Sequence, residues 1–348
     1  MSRWPGGLIR KTAITPAGPF QDGAAKGVWT IMEATYWIKQ GLWPIAGNSN
    51  PSQRAFFAGG TLSSSYFSNI YTIVISTSGN TTNFGNLSTN TGFLASGSSS
   101  TRGLFAGGGG LDGLGDFVIF NTIEYITFAA SGSVADFGDL ATARYNLAGC
   151  SNSTIAIFAG GQSPTTNQTT SVTIATTGNS SSFGGLPDNI HSLAGCASAT
   201  RALFSGGTNS GGSRLNVISF ITFSSLGSAS DFGDLTLSPS APAATSSSTR
   251  GIIAGGSAPT STNVIEFVTI ASAGNATDFG DLTDVTSSSS ATSNSTLGLF
   301  GGGVSSGGIT TNVISYITIA STGNAIDVGD LGAARSTLTA CSGSHGGI

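Results

Sequence analysis

Paired carboxylates recur along this chain. Asp-Phe-Gly-Asp stands at 136–139, 231–234 and 278–281, and a fourth version, Asp327-Val-Gly-Asp330, lies near the end. Two acids at this spacing suit a hard cation, so calcium is one reading. The repetition favours another. A catalytic motif serves one site, and two further copies replace both acids, with Asn83 and Asn86 in one and Ser182 and Gly185 in the other. The pattern predicts a structural unit in which Phe packs, Gly permits a bulge and the acids lie at a rim, with no metal site.

The remaining reactive side chains are few and scattered. Cys150, Cys196 and Cys341 give an odd count at wide spacing, which indicates neither a disulfide framework nor a zinc site. His191 and His345 are the only histidines and form no ligand pair. No cofactor is expected. Net charge is −4, which argues against nucleic acid or an anionic membrane as partner. No run reaches the ~18 apolar residues of a membrane helix, and MSRWPGGLIRKT lacks the apolar core of a secretory signal.

The elements that carry these residues repeat six times. An apolar run ending in Gly-Gly returns at 59, 107, 160, 206, 255 and 302. Each run reads as a buried strand. A variable segment follows, then a β-branched strand such as NVIEFVTIA (263–271), a turn of the STGN type, the short strand carrying DFGDL, and a small-residue strand such as NLAGCSN (146–152). Four short strands per ~48 residues predict an all-β, six-bladed propeller over 51–348. The last segment, STLTACSGSHGGI (336–348), aligns with a small-residue strand and is expected to join the diglycine strand at Arg54, closing the ring. Arg54, Arg102, Arg201 and Arg250 share one register, which predicts capping or blade-to-blade bonding.

Residues 1–50 differ sharply in composition. They hold all four tryptophans, Trp4, Trp29, Trp37 and Trp43, and all three lysines, and carry a positive balance while the rest is acidic. Closely spaced Pro and Gly predict an extended arm, with a short helix at 29–40 stopped by Gly41 and Pro44. Its apolar and basic side chains, Trp4, Arg10, Lys11, Trp29, Trp37 and Trp43, need a surface to cover and are the expected docking contacts.

The diglycine strand in a four-stranded repeat resembles the kelch repeat over residues 51–348, with Phe84, Phe137, Phe183, Phe232, Phe279 and Val328 in place of the usual late Trp. The combination of GVWTIMEATYWIKQGLWP (27–44) with repeats of the NVIEFVTIASAGNATDFGDL type is similar to structural proteins of marine bacteriophages, particularly those infecting cyanobacteria. That resemblance implies a non-enzymatic virion component of tail, fibre or particle surface, assembled in the host cytoplasm. Residues 1–50 would anchor to other virion proteins, and the propeller would serve host attachment. Fibres of such particles are often homo-oligomers; no heptad run here specifies one. A purely architectural decoration protein and a polysaccharide-acting enzyme are the alternatives, the latter requiring clustered carboxylates in a cleft.

If strands alternate across each blade, the loops after the diglycine share one face with the loops after DFGDL, and the STGN turns take the other. The first set varies most, and recognition usually sits on such loops. Tyr66, Phe67, Asp112, Asp116, Phe117, Gln162, Gln168, His191 and Arg214 are the candidate contacts, a mixture suited to a glycan or a protein partner.

Overall fold

In a computed structural model, residues 53–348 are described except 131, 133 and 226. The expected arm, its helix at 29–40 and its six docking residues lie outside the described residues.

Six four-stranded antiparallel sheets follow one another around a ring. Blade 2 shows the plan: an inner strand Ala95–Ser98, a second strand Arg102–Ala106 entering the diglycine, a third strand Thr122–Thr127 and an outer strand Ala135–Asp139. Blade 3 begins at Ala148–Ser151, blade 4 at Ala194–Ala197, blade 5 at Ala243–Ser246 and blade 6 at Ser290–Ser293. Blade 1 takes its inner strand from the far end of the sequence, because Thr339–Ser342 pairs with Arg54–Ala58. The ring therefore closes as the repeat count requires, and blade 1 has four strands like the other five.

The core consists of the seams between blades. One cluster joins Leu104, Ile123 and Phe137 of blade 2 to Phe158, Val172 and Ile174 of blade 3, and the other five seams are built alike. Both faces of each blade are thus buried, which is why the diglycine strands read as unbroken apolar runs. Cys341, Cys196 and Thr245 of the inner strands each face a glycine of the neighbouring blade, Gly103, Gly251 and Gly298, on which a Cβ would meet the side chain at 2.7, 3.1 and 3.0 Å. The three cysteines accordingly sit in seams as buried free thiols.

The outer rim shows what the recurring DFGD segments do. In blade 2 the outer strand bulges at Phe137, since Ile123 pairs with Gly138 while Glu124 pairs with Asp136. The turn of the next blade docks there: the Gly178 N–H donates to the Phe137 carbonyl at 2.7 Å and the Ser180 N–H to that of Asp139 at 2.8 Å. Gly138 has φ +142° and approaches so closely that a Cβ would lie 2.5 Å from the Gly178 carbonyl oxygen. DFGD and STGN are the two halves of one joint. The Asp136 carboxylate is exposed beside it.

Arginine supplies a second joint. Arg102, Arg201 and Arg250 each donate through Nη1 to two carbonyls of the following blade, at 174 and 175, 270 and 271, and 319 and 320. Each guanidinium also lies 4.7–4.8 Å from a ring of its own blade, Tyr125, Phe220 or Phe267. Arg54 differs, sitting 5.9 Å from the Phe56 ring.

Candidate functional site

The loops after the diglycines and after the outer strands do share one face, and the STGN turns and Gln53, where the described chain begins, lie at the other. Gln53 is held there by Ile75 and Asn294.

On the variable face the channel mouth is rimmed by a closed ring of backbone hydrogen bonds. Phe93, Asn146, Ser192, Ala241, Ser288 and Thr337 each donate an N–H to the carbonyl of the preceding member at 2.8–3.0 Å, and Thr337 completes the circle to Phe93. All six adopt φ of 53–62°. That left-handed conformation is costly for residues with a Cβ and persists here because the ring over-determines it. Below the rim lies a cavity of about 170 Å³. Its opposite end is closed by the chain after Ser342. The Gly347 N–H donates to His345 Nδ1, which leaves the Nε2 proton for the Ser98 carbonyl at 3.2 Å, with Ser151 Oγ at 3.1 Å. Burial pushes the His345 pKa down to about 4, so the imidazole is neutral. The channel is a cup that opens on the variable face.

Beside the mouth, four aromatic rings from blades 1 to 3 meet in a closed circuit. Tyr66 contacts Phe93 (centroids 6.4 Å apart), Phe93 contacts Tyr145 (5.9 Å), Tyr145 contacts Phe117 (5.3 Å) and Phe117 returns to Tyr66 (6.1 Å). Two hairpins found only as accessory pieces of the repeat supply half of it: Thr61–Leu62 with Ser65–Tyr66, and Gly109–Leu111 with Phe117–Ile119. Phe117 is 42 % exposed, and the other three rings are half-buried. Burial and the neighbouring Tyr145 hold the Tyr66 phenol above its ordinary pKa, so it remains a hydrogen-bond donor. Rings fixed edge-on and partly open present flat apolar faces at low entropic cost.

The remaining candidates divide into two groups. Gln162 belongs to the site: its Oε1 accepts from Asn146 Nδ2 at 3.0 Å, and its backbone bridges Tyr145. His191 follows around the rim, with Nδ1 3.0 Å from Ser192 Oγ and a pKa lowered by burial. Asp112 and Asp116 organise the blade 2 hairpin. The Asp112 carboxylate accepts the N–H groups of Asp116 and Leu114, which hold its pKa below the ordinary value. Phe67 is covered by the Arg335 guanidinium, 4.8 Å from its ring. Gln168 lies in the third strand of blade 3, where Thr142 and Ser182 occupy its amide. Arg214 is exposed in the blade 4 loop and reaches Ser257 Oγ at 3.3 Å.

Sequence reasoning named Tyr66 and Phe117 but not Phe93 or Tyr145. A signal was present. Aligning the repeats puts Phe93 where the others have Asn, Ser, Ala or Thr, and Tyr145 where four of the others have Gly or Ser and the fifth has His191. Large side chains in a small-residue register mark the part of the ring that departs from structural repetition.

No protein-family model matches the chain, and a search of curated proteins finds no match. Among solved structures, the one titled "Structure of YjhT" superposes with a TM-score of 0.59 at 12 % identity, over 75 % of this chain and 94 % of that one. At that identity the likeness concerns the fold, which is a β-propeller.

Proposed function

We propose that this chain is a non-enzymatic recognition protein of a virion, whose propeller binds host-surface carbohydrate through the aromatic circuit Tyr66, Phe93, Phe117 and Tyr145. That circuit carries the reading. Ring faces stack on the C–H faces of sugars, while Gln162, Asn146 and His191 alongside offer donors and acceptors for hydroxyls. The rest of the mouth is lined by Ser, Ala and Thr, so the binding surface is one-sided. Two further observations support display on a particle. The described chain begins at Gln53 on the face opposite the circuit. Residues 1–50 combine four tryptophans with a basic balance, as a docking segment requires. The resemblance to phage structural proteins supplies the virion setting.

The test has two parts. Envelope polysaccharide from candidate cyanobacterial hosts should retain the full chain, and Tyr145→Ala should reduce that retention. Particle reconstruction should place the variable face outward. Failure to bind any host glycan, with that face buried among other subunits, would establish an architectural role instead. Release of reducing sugar would establish an enzyme.

A further inference from the structure

Each loop from one blade to the next has a residue, four positions after the leucine that follows the outer strand, whose carbonyl accepts the N–H of the second diglycine residue. Thr91, Arg144, Ile190, Pro239, Thr286 and Arg335 occupy this position, with distances of 2.8–3.0 Å. Equivalent backbones therefore aim side chains of four kinds, Thr, Arg, Ile and Pro, into the following blades.

Arg144 shows what the place accepts. Its Nη1 donates to the Gly160 and Gln168 carbonyls at 3.0 and 2.8 Å, and its Nη2 to the Phe158 carbonyl at 3.3 Å and Thr170 Oγ1 at 2.7 Å. No carboxylate is among these partners, and burial lowers the Arg144 pKa to about 10. Arg335 enters blade 1 in the same way, donating to the Gly59 carbonyl at 2.9 Å. In blade 4 the buried Ile190 takes the arginine position, and in blades 2 and 5 the Thr170 position carries Glu124 and Glu266, which accept the N–H groups of Ser88 and Thr236.

Blade 6 keeps the acceptors without the arginine. Phe300, Gly302, Val313 and Ser315 are the repeat equivalents of Phe158, Gly160, Gln168 and Thr170. Together with Thr286 and Asp284 they line a separate cavity of about 60 Å³. Thr286 is too short to fill it.

We infer that this cavity is a binding site for a guanidinium group. A cradle of carbonyl and hydroxyl oxygens offers acceptors in several directions, which a planar five-donor head satisfies and a compact ammonium does not. Asp284 adds a carboxylate that the Arg144 site lacks, so an incoming cation meets opposite charge at the mouth. The cavity lies on the variable face at blades 5 and 6, apart from the aromatic circuit, and stands whether or not that circuit binds carbohydrate.

Calorimetric titration of the full chain with methylguanidinium, with the peptide Gly-Arg-Gly and with Gly-Lys-Gly tests the site. Saturable binding of methylguanidinium at millimolar or lower concentration is expected. Gly-Lys-Gly should bind about tenfold or more weaker than Gly-Arg-Gly if the peptide enters. Entry of both guanidinium compounds assigns the site to an arginine side chain of a partner, and entry of methylguanidinium alone assigns it to a free small cation. Thr286→Arg should fill the cavity, abolish binding and raise Tm. Asp284→Asn, at the rim and outside the core, should weaken binding about three- to tenfold and serves where the arginine variant fails to fold. Absence of saturable binding by either guanidinium compound overturns the inference, as does affinity unchanged in a folded Thr286→Arg or in Asp284→Asn.

Discussion

Asn179 Oδ1 accepts the backbone N–H of Asp139 at 3.0 Å across 40 residues of sequence, tying the turn of blade 3 to the rim of blade 2. The same bond joins Asn275 to Asp234, Asn324 to Asp281 and Asn80 to Asp330. At the joint between blades 3 and 4 the turn carries Ser228 instead, and the facing strand carries Gly185 in the Asp position. Asn and the second Asp therefore change together, although only the Asp backbone makes the contact.

Asn179→Ala should cost about 0.5–1.5 kcal/mol, the net worth of one such bond, while Ser228→Ala at a joint without the clamp should stay within about 0.5 kcal/mol. Urea denaturation of the two variants beside the parent measures the difference.

Arg144→Lys should destabilise by about 1–3 kcal/mol, because an ammonium cannot serve four acceptors fixed around a planar fork and some are left buried without a donor. Thermal unfolding of this variant, set against Arg214→Lys on the exposed loop, separates loss of the fork from loss of general charge.

His345 makes stability depend on acidity. Its folded pKa, about 4, lies below the ordinary 6.5, so its contribution is complete above about pH 6.5 and is lost as pH falls toward 4. Tm should drop across that window, and His345→Gln should flatten the drop. A parallel decline in both proteins would place the acid sensitivity elsewhere.

If the circuit binds carbohydrate as proposed, Phe117→Ala should lower retention on that carbohydrate about five- to thirtyfold, yet leave Tm nearly unchanged, since the ring is 42 % exposed. Equal loss of stability and affinity would mean that the circuit is only packing.

The three cysteines should resist alkylation by iodoacetamide at pH 8 in the folded chain. All are buried, and desolvation raises each thiol pKa, that of Cys196 to about 12. Modification faster than unfolding would contradict their place in the seams.

The architecture was legible because each blade repeats one solution to the same packing problem. Diglycines, STGN turns and DFGD strands recur since every seam needs the same close approaches, and repetition alone placed the closing strand within 336–348. The pairing of DFGD with STGN was not legible, because the partners are 40 residues apart and meet only after the ring forms. Side chains that work by contact across the mouth, such as Phe93 and Tyr145, were hidden for a related reason: their neighbours come from different blades. Phe67 and Gln168 looked available only because the groups that occupy them, Arg335 and Thr142, belong to other segments.

The closure of blade 1 also imposes a timetable. Thr61 and Ser336, hydrogen-bonded where the two ends of the ring meet, are separated by 275 residues. At roughly 5–20 residues per second, on the order of 15–55 s of translation passes between them. During that interval the Arg54–Ala58 strand waits without its inner neighbour while five complete blades are made beside it. An unpaired strand edge is most exposed to wrong partners at that stage, so yield in a heterologous host should respond to elongation rate and to chaperones more than the finished ring's stability would suggest.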